Sequence, residues 1–107
     1  MLIANTDDHL RNHSFLLSRD STWQLAPAYD MNPVPFGRGL HLNISETDNA
    51  LDVELVASVA PSFRITPARA KELISQMTSI VSTWPEEATK IGLSRQEILQ
   101  MKGAFRC

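Results

Sequence analysis

The chain has 107 residues, a formal net charge of −2, 43% hydrophobic and 21% charged residues. That length allows one domain or part of one, with a real core. The weak negative balance gives no electrostatic case for direct nucleic-acid binding, and no apolar run is long enough to cross a bilayer. The opening Met1-Leu2-Ile3-Ala4 has neither the basic nor the long apolar region of a signal peptide. The single cysteine, Cys107, cannot form an internal disulfide, and a cytoplasmic home fits best.

Residues 1–4 are apolar and should end an element or pack under the adjoining loop. Residues 5–13 then carry two carboxylates, an imidazole, a guanidinium and two amides within Asn5-Thr6-Asp7-Asp8-His9-Leu10-Arg11-Asn12. Folding alone does not require that density. The segment reads as a loop with a helical turn after Asp7 or Asp8, where an aspartate could serve only as a helix cap. Functional-looking polar residues by Asn5 suggest a fragment of a longer protein or a domain that expects a partner.

Ser18-Arg19-Asp20-Ser21 is a turn cluster. It joins Phe15-Leu16-Leu17 to an alternating stretch at Trp23 and Leu25, predicting a β-hairpin over about 14–18 and 22–25. Pro27 ends it, and the hairpin should return the chain from Asn12 to Asp30. Residues 31–49, with Pro33, Pro35, Gly37 and Gly39, read as irregular, with a short strand at 41–44. Thr47-Asp48-Asn49 is the expected cap of a helix over about 50–60. Thr66-Pro67 should open a second helix, with Leu73, Met77, Ile80 and Trp84 buried and Lys71, Glu72 and Ser79 outside. Pro85 is expected to kink this helix without ending it, and Gly92 to stop it. Ser94-Arg95-Gln96-Glu97 is a capping box opening a last helix to about 103. The fold class is therefore α+β, mostly helical, with one hairpin. The segments are 1–30 with the polar loop and hairpin, 31–49 irregular, and 50–107 helical.

Asp7 and Asn12 are five apart, and Asp30 follows Asn12 by eighteen. An aspartate that orients a hydroxyl, then an asparagine and a second aspartate that hold magnesium, is the layout of phosphoryl transfer. In that layout Asp7 accepts the attacking hydroxyl's proton, Asn12 and Asp30 ligate Mg²⁺ through oxygen, and Arg11 offsets charge on the transferred group. A rival reading places zinc between His9 and His13, with Asp7 or Asp8 as a third ligand of a metal-dependent hydrolase. Leucine after His9 removes the H-E-x-x-H motif, so a structural His9 that hydrogen-bonds backbone is preferred.

The residues from Asn5 to Phe15 and the phrase Leu25-Ala26-Pro27-Ala28-Tyr29-Asp30, with the tail Ile80-Val81-Ser82-Thr83-Trp84, resemble the C-terminal part of HipA-type bacterial serine/threonine kinases. These are the toxins of a type II toxin–antitoxin pair. The resemblance implies a protein-kinase-like C-lobe, with Asp7 catalytic and Asn12 and Asp30 on Mg²⁺. It implies ATP as phosphoryl donor and a protein hydroxyl as acceptor. The family's best-known target is a glutamyl-tRNA synthetase, and a DNA-binding antitoxin of HipB type restrains it. Nothing in the sequence matches an N-lobe: there is no glycine-rich phosphate loop and no strand lysine. The chain should therefore need a missing N-terminal kinase portion and be inactive alone. The alternative, from another class, is a non-enzymatic interaction module that binds the antitoxin or another protein.

Overall fold

The computed structural model describes all 107 residues. Its order is a 3₁₀ turn at Leu10–Asn12, β1 (Phe15–Leu17), β2 (Trp23–Leu25), α1 (Val53–Val59), α2 (Pro67–Val81), α3 (Trp84–Lys90) and α4 (Arg95–Met101). Further 3₁₀ turns at Ala60–Phe63 and Lys102–Ala104 follow α1 and α4. It is a small α+β protein in which helix outweighs strand.

The two strands pair antiparallel, Phe15 opposite Leu25 and Leu17 opposite Trp23. The turn closes through side chains: the Ser18 hydroxyl donates to the Asp20 carboxylate, and the Thr22 hydroxyl donates to the same oxygen at 2.8 Å. The ladder runs on to Ala26, whose N–H donates to the Ser14 carbonyl at 2.8 Å. Pro27, lacking an N–H, cannot extend it.

Local chemistry sets the helices. α1 starts later than its sequence suggests, because Asp52 and not the Thr47-Asp48-Asn49 stretch caps it, accepting from the Glu54 N–H at 2.9 Å. Asp48 is occupied in its own loop, where its carboxylate accepts from the Ala50 N–H. The strand expected at 41–44 is absent; Gly39 and Ala50 form a single bridge instead. α2 begins as expected, with Thr66 accepting from Arg69 and Pro67 in the first turn. It does not run on with a kink. The Ser82 and Thr83 hydroxyls bond back to the carbonyls of Ser79 and Ile80, at 2.8 Å each, and the helix ends at Val81. Pro85 then lies in the first turn of α3, where its missing N–H costs nothing. Gly92, at φ +91°, closes α3 as a Schellman cap: its N–H reaches the Thr89 carbonyl and that of Leu93 the Ala88 carbonyl, both at 3.0 Å. Ser94 and Glu97 form the reciprocal capping box of α4.

The N-terminal segment is threaded through the middle. Ile3 bridges Phe105, the Ala4 N–H donates to Ala104 at 2.7 Å, and the Val34 N–H donates to Ala4 at 2.9 Å. Ala4 and Ala104 are fully buried at this crossing. Gly103 lets the backbones meet, since a Cβ there would lie 2.5 Å from the Pro35 carbonyl oxygen. Phe105 stacks on Trp84, with centroids 4.2 Å apart and planes 7° from parallel.

The apolar residues buried elsewhere are Ala60, Ala70 and Ala88. Met77 and Ile80, expected inside, are 48% and 64% exposed: Met77 borders an open apolar gap shared with Met1, Leu2 and Val53, and Ile80 one shared with Ile3, Trp84 and Phe105, instead of close-packed neighbours. Lys71, Glu72 and Ser79 are exposed, as their phase requires. The accessible surface is 8178 Å². A compact monomer of 12.0 kDa exposes roughly 6,000 Å². The radius of gyration, 15.7 Å, exceeds the ~13 Å of a compact chain of this length. No helix is long and apolar enough to cross a membrane.

Candidate functional site

The polar loop, the base of the hairpin and the segment after it enclose a cleft of about 250 Å³. Asn5, Asp8, Asn12, His13 and Tyr29 line it. Asn12 ends the 3₁₀ turn Leu10–Asn12 and is 8% exposed, the one buried polar residue. Its amide opens on the cleft and makes no hydrogen bond to the rest of the chain. Neither amide atom is sealed from solvent, so the side chain is free to meet water or a ligand in the cleft.

Asp30 sits beside the cleft in the left-handed region, at φ 55°. Aspartate tolerates that conformation better than most residues. One carboxylate oxygen accepts from the Asn32 amide at 2.8 Å, and the Asp30 carbonyl receives a long contact, 3.5 Å, from the Asn5 amide. The Tyr29 hydroxyl donates to the Arg11 carbonyl at 2.7 Å, so the chain does return from Asn12 to Asp30 through the hairpin. Asp7 lies exposed in the turn at Thr6 and Asp7. Its neighbour Asp8 lines the cleft and meets His13, Oδ2 to Nε2 at 3.0 Å. Arg11 is exposed and takes part in no ion pair.

Neither aspartate caps the 3₁₀ turn: its cap position is His9, with no side-chain bond. His9 and His13 do not share a helix face. His13 pairs with Asp8, while His9 lies edge-on to His41 with centroids 6.5 Å apart. The His9 side chain makes no bond to backbone either; its Nδ1 is buried without a partner. No group of three His, Cys, Asp or Glu side chains is arranged to hold a metal, which removes the ligand set of the zinc-hydrolase reading. The Asp8–His13 pair and the Tyr29–Arg11 bond carried no pairing signal in the sequence, because neither follows a helical or strand spacing.

Against known families, the model of the HipA-like C-terminal domain matches residues 1–84. The chain belongs to that family. The match takes in the polar loop, the hairpin, Asp30 and the chain through α2 to Trp84, so the whole cleft lies within it. No curated protein and no solved structure gives a significant match.

Proposed function

We propose that the HipA-like chain is the C-lobe portion of a serine/threonine protein kinase that transfers the ATP γ-phosphoryl group to a protein hydroxyl. The observation that carries this reading is Asn12: a largely buried residue whose amide makes no hydrogen bond within the chain and lines a solvent-reached cleft, five residues after Asp7 and eighteen before Asp30. Asn12 and Asp30 present hard oxygen donors, the chemistry Mg²⁺ selects. Asn32 leaves the second carboxylate oxygen of Asp30 free for an ion. When bound, the ion would neutralise charge on the phosphates. Asp7 orients and deprotonates the acceptor hydroxyl. Arg11, free of ion pairs, offsets charge on the transferred group. Asp8 and His13 brace the loop that carries both.

Phosphoryl transfer depends on positioning and preorganised charge, and an open cleft supplies little of either. The surface excess of roughly 2,000 Å² over a compact monomer supports a large permanent partner, which we assign to an N-terminal kinase portion. An antitoxin of HipB type and a protein substrate such as an aminoacyl-tRNA synthetase belong to the same reading.

Calorimetry with Mg²⁺ and ATP tests it. The 107-residue chain should bind no tighter than roughly millimolar, about −4 kcal/mol. Joined to its N-terminal portion it should bind about a thousandfold tighter, and Asp7→Asn should then abolish transfer with ATP still bound. Undiminished transfer by the Asp7→Asn protein would overturn the assignment.

A further inference from the structure

Between Ala26 and Val34 no residue takes part in a backbone–backbone hydrogen bond. The hairpin ladder stops at Ala26, Pro27 has no N–H, and the next backbone bond is from Val34 to Ala4. The segment that bears Asp30 is therefore held by side chains alone. Asn32 bonds to Asp30 within the segment and anchors it to nothing else. Asn5 reaches the Asp30 carbonyl only at 3.5 Å. The one short tie is Tyr29, whose hydroxyl donates to the Arg11 carbonyl at 2.7 Å. Arg11 immediately precedes Asn12, and Tyr29 immediately precedes Asp30. One hydrogen bond thus joins the neighbours of the two residues assigned to the metal.

We propose that Tyr29 is a positioning residue: its hydroxyl straps the Asp30 segment to the 3₁₀ turn and sets the separation of Asn12 and Asp30. The inference rests on the reading of those two residues as metal ligands. Its physical basis is that ligands held by a directed bond need less ordering when an ion arrives. Phenylalanine keeps the ring along the cleft and removes only the strap. The tyrosine is 45% exposed, so Tyr29→Phe leaves water free to satisfy the Arg11 carbonyl and does not threaten the fold.

The test is titration of the chain with Mn²⁺, read by paramagnetic broadening of the Asn12 side-chain amide and of backbone amides at residues 29–31, beside a thermal melt. The wild type should broaden saturably at both places. Tyr29→Phe should bind Mn²⁺ about tenfold more weakly, the lower end of the loss when a ligand's orienting partner is removed. Its melting temperature should shift by no more than a few degrees. Broadening and affinity unchanged in Tyr29→Phe would overturn the strap while leaving the metal reading intact. A lowered melting temperature with unchanged affinity would do the same, marking a tether with no role at the site. Absence of broadening at Asn12 and Asp30 in the wild type would overturn the metal reading, and the strap with it.

Discussion

The stack of Trp84 on Phe105 is the place where removing one side chain should cost most. Trp84 opens α3 and Phe105 follows the last 3₁₀ turn, so their contact joins the helical part to the segment bridged by Ile3. A tryptophan buries about 150–250 Å². Trp84 is half-buried, so the lower figure applies. At about 25 cal/mol per Å² that is ~4 kcal/mol, an upper bound because the unfolded chain already hides part of it. The loss for Trp84→Ala should be about 2–3 kcal/mol, against ~5–15 kcal/mol for a whole domain. The stacked geometry adds about 0.5–1.5 kcal/mol beyond area. That increment is what a double-mutant cycle isolates. Trp84→Ala and Phe105→Ala together should cost about 1 kcal/mol less than the sum of the singles. Urea unfolding followed by far-ultraviolet dichroism measures all four corners, and unlike Trp fluorescence it survives removal of one of two tryptophans. A Trp84→Ala loss under 1 kcal/mol, or strict additivity, would refute the stack as the joint between the two parts.

Two further outcomes concern the hairpin. Hydrogen bonds from Ser18 and Thr22 hold the Asp20 carboxyl below its ordinary value of 3.8, so the turn is stabilised above that pH. The contribution is lost as pH falls through the depressed value. Amide shifts of Ser18–Thr22 in the wild type should therefore have their midpoint below pH 3.8. In Asp20→Asn the low-pH transition should vanish; an Asp20 titrating at or above 3.8 would refute the network. Trp23 is 68% exposed and no helix covers the hairpin, so Trp23→Ser should change the stability of the chain by no more than about 0.5 kcal/mol in the same urea assay. A loss above 1.5 kcal/mol would show that the face is covered in solution.

Local structure was legible wherever one residue type dominates its neighbours. Ser18-Arg19-Asp20-Ser21 announces a turn, Thr66-Pro67 and Ser94 with Glu97 announce helix starts, and Gly92 a stop. The missed features have a common cause, competition between two sound signals. Pro85 breaks a helix and also begins one; the choice lay with the Ser82 and Thr83 hydroxyls, whose back-bonds do not show in a hydrophobic pattern. Asp48 and Asp52 are equal candidates for a cap until Asp48 is spent on its own loop. Periodicity named the face of α2 that bears Met77 and Ile80, but period says which side chains share a face, not whether anything lies opposite it. At the cleft, spacing singled out Asn12 and Asp30, while their ties through Tyr29 and Asn5 depend on a hairpin that brings together residues eighteen and twenty-five apart.

The same openness explains the fold and the site. Phe15, Leu17, Trp23 and Leu25 share one face of the hairpin by their register, and all four are 57–68% exposed. Two strands alone are marginal in water and need a packed face to persist. The hairpin is also the arm that sets Asn12 against the Asp30 segment. An element that is weakly held by its own chain and that carries the separation of the two proposed metal ligands would make such a site responsive to whatever covers that face. Covering it would remove apolar surface from water, a gain proportional to area. It would also fix the hairpin, and through the Tyr29 strap fix the Asp30 segment that no backbone bond restrains. If Asn12 and Asp30 hold the proposed metal, its affinity and a contact on that face would be two readings of one equilibrium, each strengthening the other by the same factor.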